Sequence, residues 1–157
     1  MKNFTSGLKI VIIPALCLFL SGYKPVSKVA DMAGSIQEVL NRHYDKDRET
    51  GVLKKYELNV TNNGFCRYKK YHTNGKIEFF SFNITRFKNV DYIGSVSAGR
   101  LHLKTESDDV IVQTYNAKGG DIDSIGTEMI LPLKNIDVEE LNKLADNLAT
   151  LKKALIK

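Results

Sequence analysis

Two Asn-Gly pairs, Asn63-Gly64 and Asn74-Gly75, stand one strand length apart. Asn and Gly tolerate the positive φ that tight hairpin turns require, so each pair marks a reversal of an extended chain. The segments around them have the composition of strands. Tyr56, Leu58 and Val60 alternate with Glu57 and Asn59, the period of a half-buried strand. Phe65 to His72 runs between the two turns, and Ile77 to Thr85 follows with Phe80, Phe82 and Ile84 on one face. The spacing therefore predicts a three-stranded antiparallel meander.

Downstream, strands are expected at Val90–Val96, Arg100–Thr105 and Val110–Tyr115, with Ser107-Asp108-Asp109 turning the last two. Asn116 to Thr127 is rich in Gly and Asp and reads as a loop. Glu128 to Leu133 reads as a final strand whose Pro132 suits a sheet edge. Helices are expected at both ends of this sheet. Val29, Met32, Ala33, Ile36, Val39 and Leu40 recur at helical spacing between Ser27 and Tyr44, with Gly34 as a break and Ser35 and Glu38 as a capping box. Tyr44 to Gly51 is charged and reads as a loop. At the C-terminus Asp137 is placed to cap a helix, with Glu140 three residues on, and Leu141, Leu144, Leu148, Leu151 and Leu155 form its apolar stripe. Lys152, Lys153 and Lys157 suit the negative end of that helix. The expected fold is α+β: an antiparallel meander or partly open barrel of about seven strands, with an N-terminal helix and a closing amphipathic C-terminal helix.

The N-terminus reads as a processing segment. Lys2 and Lys9 precede an uncharged run from Ile10 to Leu20, followed by Ser21-Gly22. This is the layout of a secretory signal peptide, and the run is shorter than the ~20 apolar residues of a membrane-spanning helix. The expected cut follows Gly22, which makes the protein secreted or periplasmic. Leu16 stands before Cys17 where a lipoprotein requires a small residue, so no lipid anchor is expected. The expected organisation is a signal peptide over 1–22, a helix and loop over 23–50, and the sheet with its closing helix over 51–157.

Cleavage would change the charge arithmetic. The whole chain of 157 residues carries 23 Lys and Arg against 18 Asp and Glu. Losing Lys2 and Lys9 leaves 21 bases, a net charge of +3, which is too even for a nucleic-acid partner. It also leaves Cys66 as the only thiol, so no internal disulfide can form and the fold rests on its core. Cys66 is expected as a small buried apolar residue.

The motifs of common chemistries are missing from the sequence. His43, His72 and His102 lie in separate elements, and HxH, HExxH, CxxC, GxSxG, the P-loop and GxGxxG do not occur. Asp121, Asp123 and Gly126 resemble a calcium loop, but Ile125 and Pro132 would occupy positions five and twelve, which need oxygen ligands. No enzymatic role, cofactor or metal is expected. One cluster remains: Lys54, Lys55, Arg67, Lys69, Lys70, His72 and Lys76, interleaved with Tyr56, Tyr68 and Tyr71 on the first hairpins. Strands about 4.8 Å apart would bring several of these together as a candidate ligand-binding site for phosphate or carboxylate groups. Period two splits the set, with Arg67 and Lys69 on one face and Lys70 and His72 on the other.

The order of elements resembles the pleckstrin-homology-like barrel, including its GRAM-type and bacterial relatives. The resemblance runs over residues 50 to 155: the meander, the strands GRLHLKT, DDVIVQTY and EMILPL, and the helix VEELNKLADNLATL. Members that bind phosphoinositides place bases on the first hairpin, so the resemblance implies an anionic-ligand site there. The chain also resembles, in general style, small secreted bacterial proteins of unassigned function. The expected role is a non-enzymatic binding or interaction module of the cell envelope. Its expected partner is a protein or an anionic ligand, with membrane contact only peripheral. The alternatives are an anionic small-molecule or lipid-headgroup binder, and a hydrolase with an unrecognised site.

Overall fold

The computed structural model describes residues 28–157; the expected signal peptide and its cleavage site lie outside them. Helix α1 spans Lys28–His43, and eight strands follow: β1 Leu53–Val60, β2 Phe65–His72, β3 Ile77–Asn83, β4 Phe87–Ser95, β5 Ala98–Thr105, β6 Val110–Tyr115, β7 Asp123–Gly126 and β8 Glu128–Leu133. Helix α2 spans Val138–Ile156. All strand pairs are antiparallel. They form two sheets, ordered β1-β2-β3-β6-β7 and β4-β5-β8, that do not close into a barrel. The fold is α+β and partly open.

The meander forms where the turns require it. Gly64 and Gly75 sit at φ +84° and +86°, the left-handed region that costs a side chain most. Gly64 N–H donates to Thr61 O at 2.9 Å, and Gly75 N–H to His72 O at 3.1 Å. The third strand ends at Asn83, two residues before the expected Thr85. There the Asn83 side chain accepts the Thr85 N–H at 2.9 Å and folds Ile84–Arg86 into a 3-10 turn. This turn sends β4 and β5 into the second sheet, and β6 returns to pair with β3.

Two further expectations are corrected. Helix α1 runs unbroken through Gly34, because Ala33, Ile36 and Leu40 bury a continuous stripe on both sides of it. The expected loop 116–127 contains a short eighth strand, β7. Its pairing with β6 overrides a composition poor in strand formers: Ile125 faces Ile111, and Ile122 N–H donates to Thr114 Oγ1 at 2.7 Å.

One core unites helices and sheets, so residues 28–50 pack as part of the same body as the strands. Leu144, Leu148 and Leu151 of α2 join Ile36 and Leu40 of α1 against Leu58, Cys66, Tyr68 and Phe82 of the large sheet and Leu101, Leu103, Met129 and Leu131 of the small one. Cys66 is fully buried, as expected, and burial pushes its thiol up to about 12. Asp137 caps α2 by accepting the Glu140 N–H at 2.8 Å. Lys152 has a more specific role than helix-dipole support: its Nζ donates to Phe87 O at 2.7 Å and to Glu106 Oε1 at 2.5 Å.

Two sheet edges are covered by the chain itself. On β1, Gln37 Oε1 accepts the Val60 N–H at 2.9 Å and Asn41 Nδ2 donates to Leu58 O at 3.1 Å, so side chains of α1 replace a neighbouring strand. On β8, Asp45 N–H donates to Pro132 O at 2.9 Å and Lys134 N–H to His43 O at 2.8 Å. The segment after α1 thereby lies along the small sheet, over the gap between the two sheets.

Candidate functional site

Strand β2 carries four of the seven predicted site residues, and its pleat divides them. Cys66, Tyr68, Lys70 and His72 point inward and are buried, while Arg67 is exposed and Lys69 half-buried on the opposite face. The cluster is therefore two sites with different chemistry.

The inner set is a buried polar network. Lys70 Nζ lies 3.1 Å from Glu49 Oε2 and 2.8 Å from Glu78 Oε2, above the rings of Tyr68 and Phe80 at 5.6 and 5.2 Å. His72 Nε2 is 3.0 Å from Glu78 Oε2, and Lys76 Nζ is 2.7 Å from Glu78 Oε1. Burial alone would raise the Glu78 carboxyl, but the bonds from Lys70, Lys76 and His72 outweigh it and hold it at about 2. Glu49 is the hub. The Tyr68 hydroxyl donates to its Oε1; the Tyr44 hydroxyl, 2.6 Å from that of Tyr68 and 3.0 Å from Glu49 Oε1, completes the group. Burial first, and then the adjacent Glu49 carboxylate, raise both phenols, so they remain neutral donors. Lys70 and Lys76 thus balance the protein's own carboxylates Glu49 and Glu78, with the His72 ring bonded to Glu78 as well, and no free cation is left in this set. Lys70 and His72 lie on the buried face of the strand, where Glu49 and Glu78 supply the counter-charge that permits their burial.

The outer set lies on the open face of the five-stranded sheet. Cross-strand register aligns Lys55, Tyr71, Ile77 and Tyr115 in one row, Glu57, Lys69, Phe79, Gln113 and Asp123 in the next, and Asn59, Arg67, Ser81, Ile111 and Ile125 in a third. The cations rest on aromatic rings: Lys69 and Lys55 Nζ at 4.9 and 5.4 Å from the Tyr71 centroid, and Arg67 Cζ at 4.8 Å from that of Phe65. Lys55 also bonds Glu57 at 2.6 Å, which holds that carboxyl below its usual range. Among the described residues, Lys54, Arg67 and Lys69 take part in no ion pair, and Lys54 is exposed at an irregularity of β1 beside this face. Toward β7 the same face becomes apolar, with Ile111, Tyr115 and Ile125 exposed at 42%, 45% and 65%.

Glu49, Arg48 and Arg100 were not singled out by sequence. They line a cleft of about 230 Å³ between the sheets, together with Lys70, Phe80, Glu128, Ile130 and Pro132. A charged stretch such as Lys46-Asp47-Arg48-Glu49 carries no local sign that its last residue turns inward. Among the described residues no group of three or more His, Cys, Asp or Glu side chains is placed to hold a metal ion, and no helix is long and apolar enough to cross a membrane. Comparisons with protein families, with curated proteins and with solved structures found no match for this chain.

Proposed function

We propose that the protein is an exported, non-enzymatic binding module of the cell envelope, and that the outer face of its large sheet rests peripherally on an anionic lipid surface. The observation that carries this reading is the face itself: Arg67 and Lys69, outside any ion pair, lie on Phe65 and Tyr71 in the same plane as exposed Ile111, Tyr115 and Ile125. Cations above aromatic rings bring charge to the headgroup layer while the rings and isoleucines lower their apolar area into its boundary. Each such base near an anionic leaflet contributes about 1 kcal/mol. The export reading comes from the basic and apolar pattern of residues 1–22. The resemblance to pleckstrin-homology-like barrels adds the precedent of bases on a first hairpin.

The test is flotation with phosphatidylglycerol vesicles and, separately, phosphatidylcholine vesicles. The protein is expected to float only with the anionic vesicles, and to be released at about 0.5 M salt, where the Debye length falls to a few ångströms. The double variant Arg67→Glu, Lys69→Glu should not float. Absence of flotation at low salt, or equal flotation of the double variant, overturns the reading; capture of an acidic protein in place of vesicles would replace the lipid with a protein partner.

A further inference from the structure

We propose that the cleft between the two sheets is a second and separate binding site, built for a small organic carboxylate with an apolar body. Its roof is the segment Arg48, Glu49 and Thr50, its floor Lys70 of β2 and Phe80 of β3, and its wall Arg100 of β5 with Glu128, Ile130 and Pro132 of β8. Each carboxylate in this lining already has a cationic or imidazole neighbour. Glu49 is taken by Lys70 at 3.1 Å and by the tyrosine hydroxyls, and Glu128 faces His102 Nδ1 at 3.2 Å. Lys70 is in turn shared between Glu49 and Glu78. The two guanidinium groups are different: among the described residues neither Arg48 nor Arg100 enters an ion pair, and both are exposed. Across the lining, Lys70, Arg48 and Arg100 stand against Glu49 and Glu128, a net charge of +1, and the two cations outside any ion pair are the arginines.

Arginine presents a planar fork of donors that matches a carboxylate in bidentate fashion, so the guanidinium pair favours that group over a spherical anion. Phe80, Ile130 and Pro132 supply an apolar surface beside it, and Ile130 is 37% exposed. A bare inorganic anion would leave that surface wet, whereas a carboxylate with a short hydrocarbon or aromatic body would cover it. The size agrees: about 230 Å³ lies below the ~300 Å³ at which drug-sized sites begin, so the ligand is of metabolite size. The backbone that carries the arginines is anchored: Asp45 N–H bonds Pro132 O, Arg48 N–H bonds Asp45 O and Glu49 is fixed by the buried network, while Arg100 springs from the central strand of its sheet.

The experiment is a titration of the isotope-labelled protein followed by amide NMR, with 3-phenylpropionate as the probe and acetate and inorganic phosphate as comparators at equal ionic strength. Saturable shifts are expected at Arg48, Glu49, Arg100 and Ile130 with 3-phenylpropionate, and affinities at least tenfold weaker for the comparators. Arg48→Ala and Arg100→Ala should each weaken binding about tenfold, the loss of one charge-assisted contact. Arg100→Lys, which keeps charge but not the fork, should fall between. The Arg67→Glu, Lys69→Glu protein should bind the probe as the parent does, which separates this site from the lipid-facing surface. No saturable shift, equal responses to all three anions, or unchanged affinity in both alanine variants overturns the proposal.

Discussion

Lys69 and Lys70 are neighbours on one strand and have opposite surroundings. Lys69 lies over Tyr71 on an open face without an ion pair, while Lys70 is 8% exposed and held between two carboxylates. The same division separates Arg67 from Cys66. A side-chain period of two, set by the turn at Gly64, decides which bases are structure and which are surface. Composition alone cannot make that distinction.

The largest expected effect comes from removing the inner face's hub. Glu49→Ala leaves Lys70 with half its counter-charge and one of the two bonded tyrosine hydroxyls without an acceptor, and is expected to cost about 3–5 kcal/mol in urea denaturation. No residue of the outer face should approach this. Acid should act on the inner face in the same sense. The Glu78 carboxyl is depressed from 4.5 to about 2, so its contribution to stability is present above pH 4.5 and is lost as pH falls toward 2. Glu78→Gln is therefore expected to flatten the acid limb of a stability–pH curve between those values; an unchanged limb would mean that other groups carry it.

A smaller effect is expected at the turn that sets the register. A Cβ at Gly64 would fall 2.6 Å from Leu155 Cδ1, at a φ of +84° that side chains resist. Gly64→Ala should lower stability by about 1–2 kcal/mol, with Leu155 yielding part of the space. The gentlest probe needs no substitution. Cys66 is fully buried with its thiol raised to about 12, so alkylation at neutral pH should proceed only as fast as the native state opens, and at the free-thiol rate in urea. Prompt native labelling would place Cys66 on the wrong face.

What could be read from sequence follows the same physical line. Strand β2 and the α2 cap were legible because turn chemistry, alternation and capping are local, and both lie where those signals place them. The split of the bases into two faces was legible as well. The counter-charges were not: Glu49 and Glu78 reach Lys70 from 21 and 8 residues away, and only the folded chain brings them together. Nor was the route of β4 and β5 into a second sheet, which depends on the short turn at Ile84–Arg86 and on β6 returning to β3. Strand β7 was hidden because its stability comes from β6 and not from its own residues.

The most direct test of the two-face account is urea denaturation of Lys69→Ala and Lys70→Ala measured side by side. Lys69→Ala is expected to change stability by no more than about 0.5 kcal/mol, and Lys70→Ala, which strips the shared cation from Glu49 and Glu78, to cost about 3 kcal/mol or more. Equal effects of the two substitutions, or a larger loss from Lys69→Ala, would contradict it.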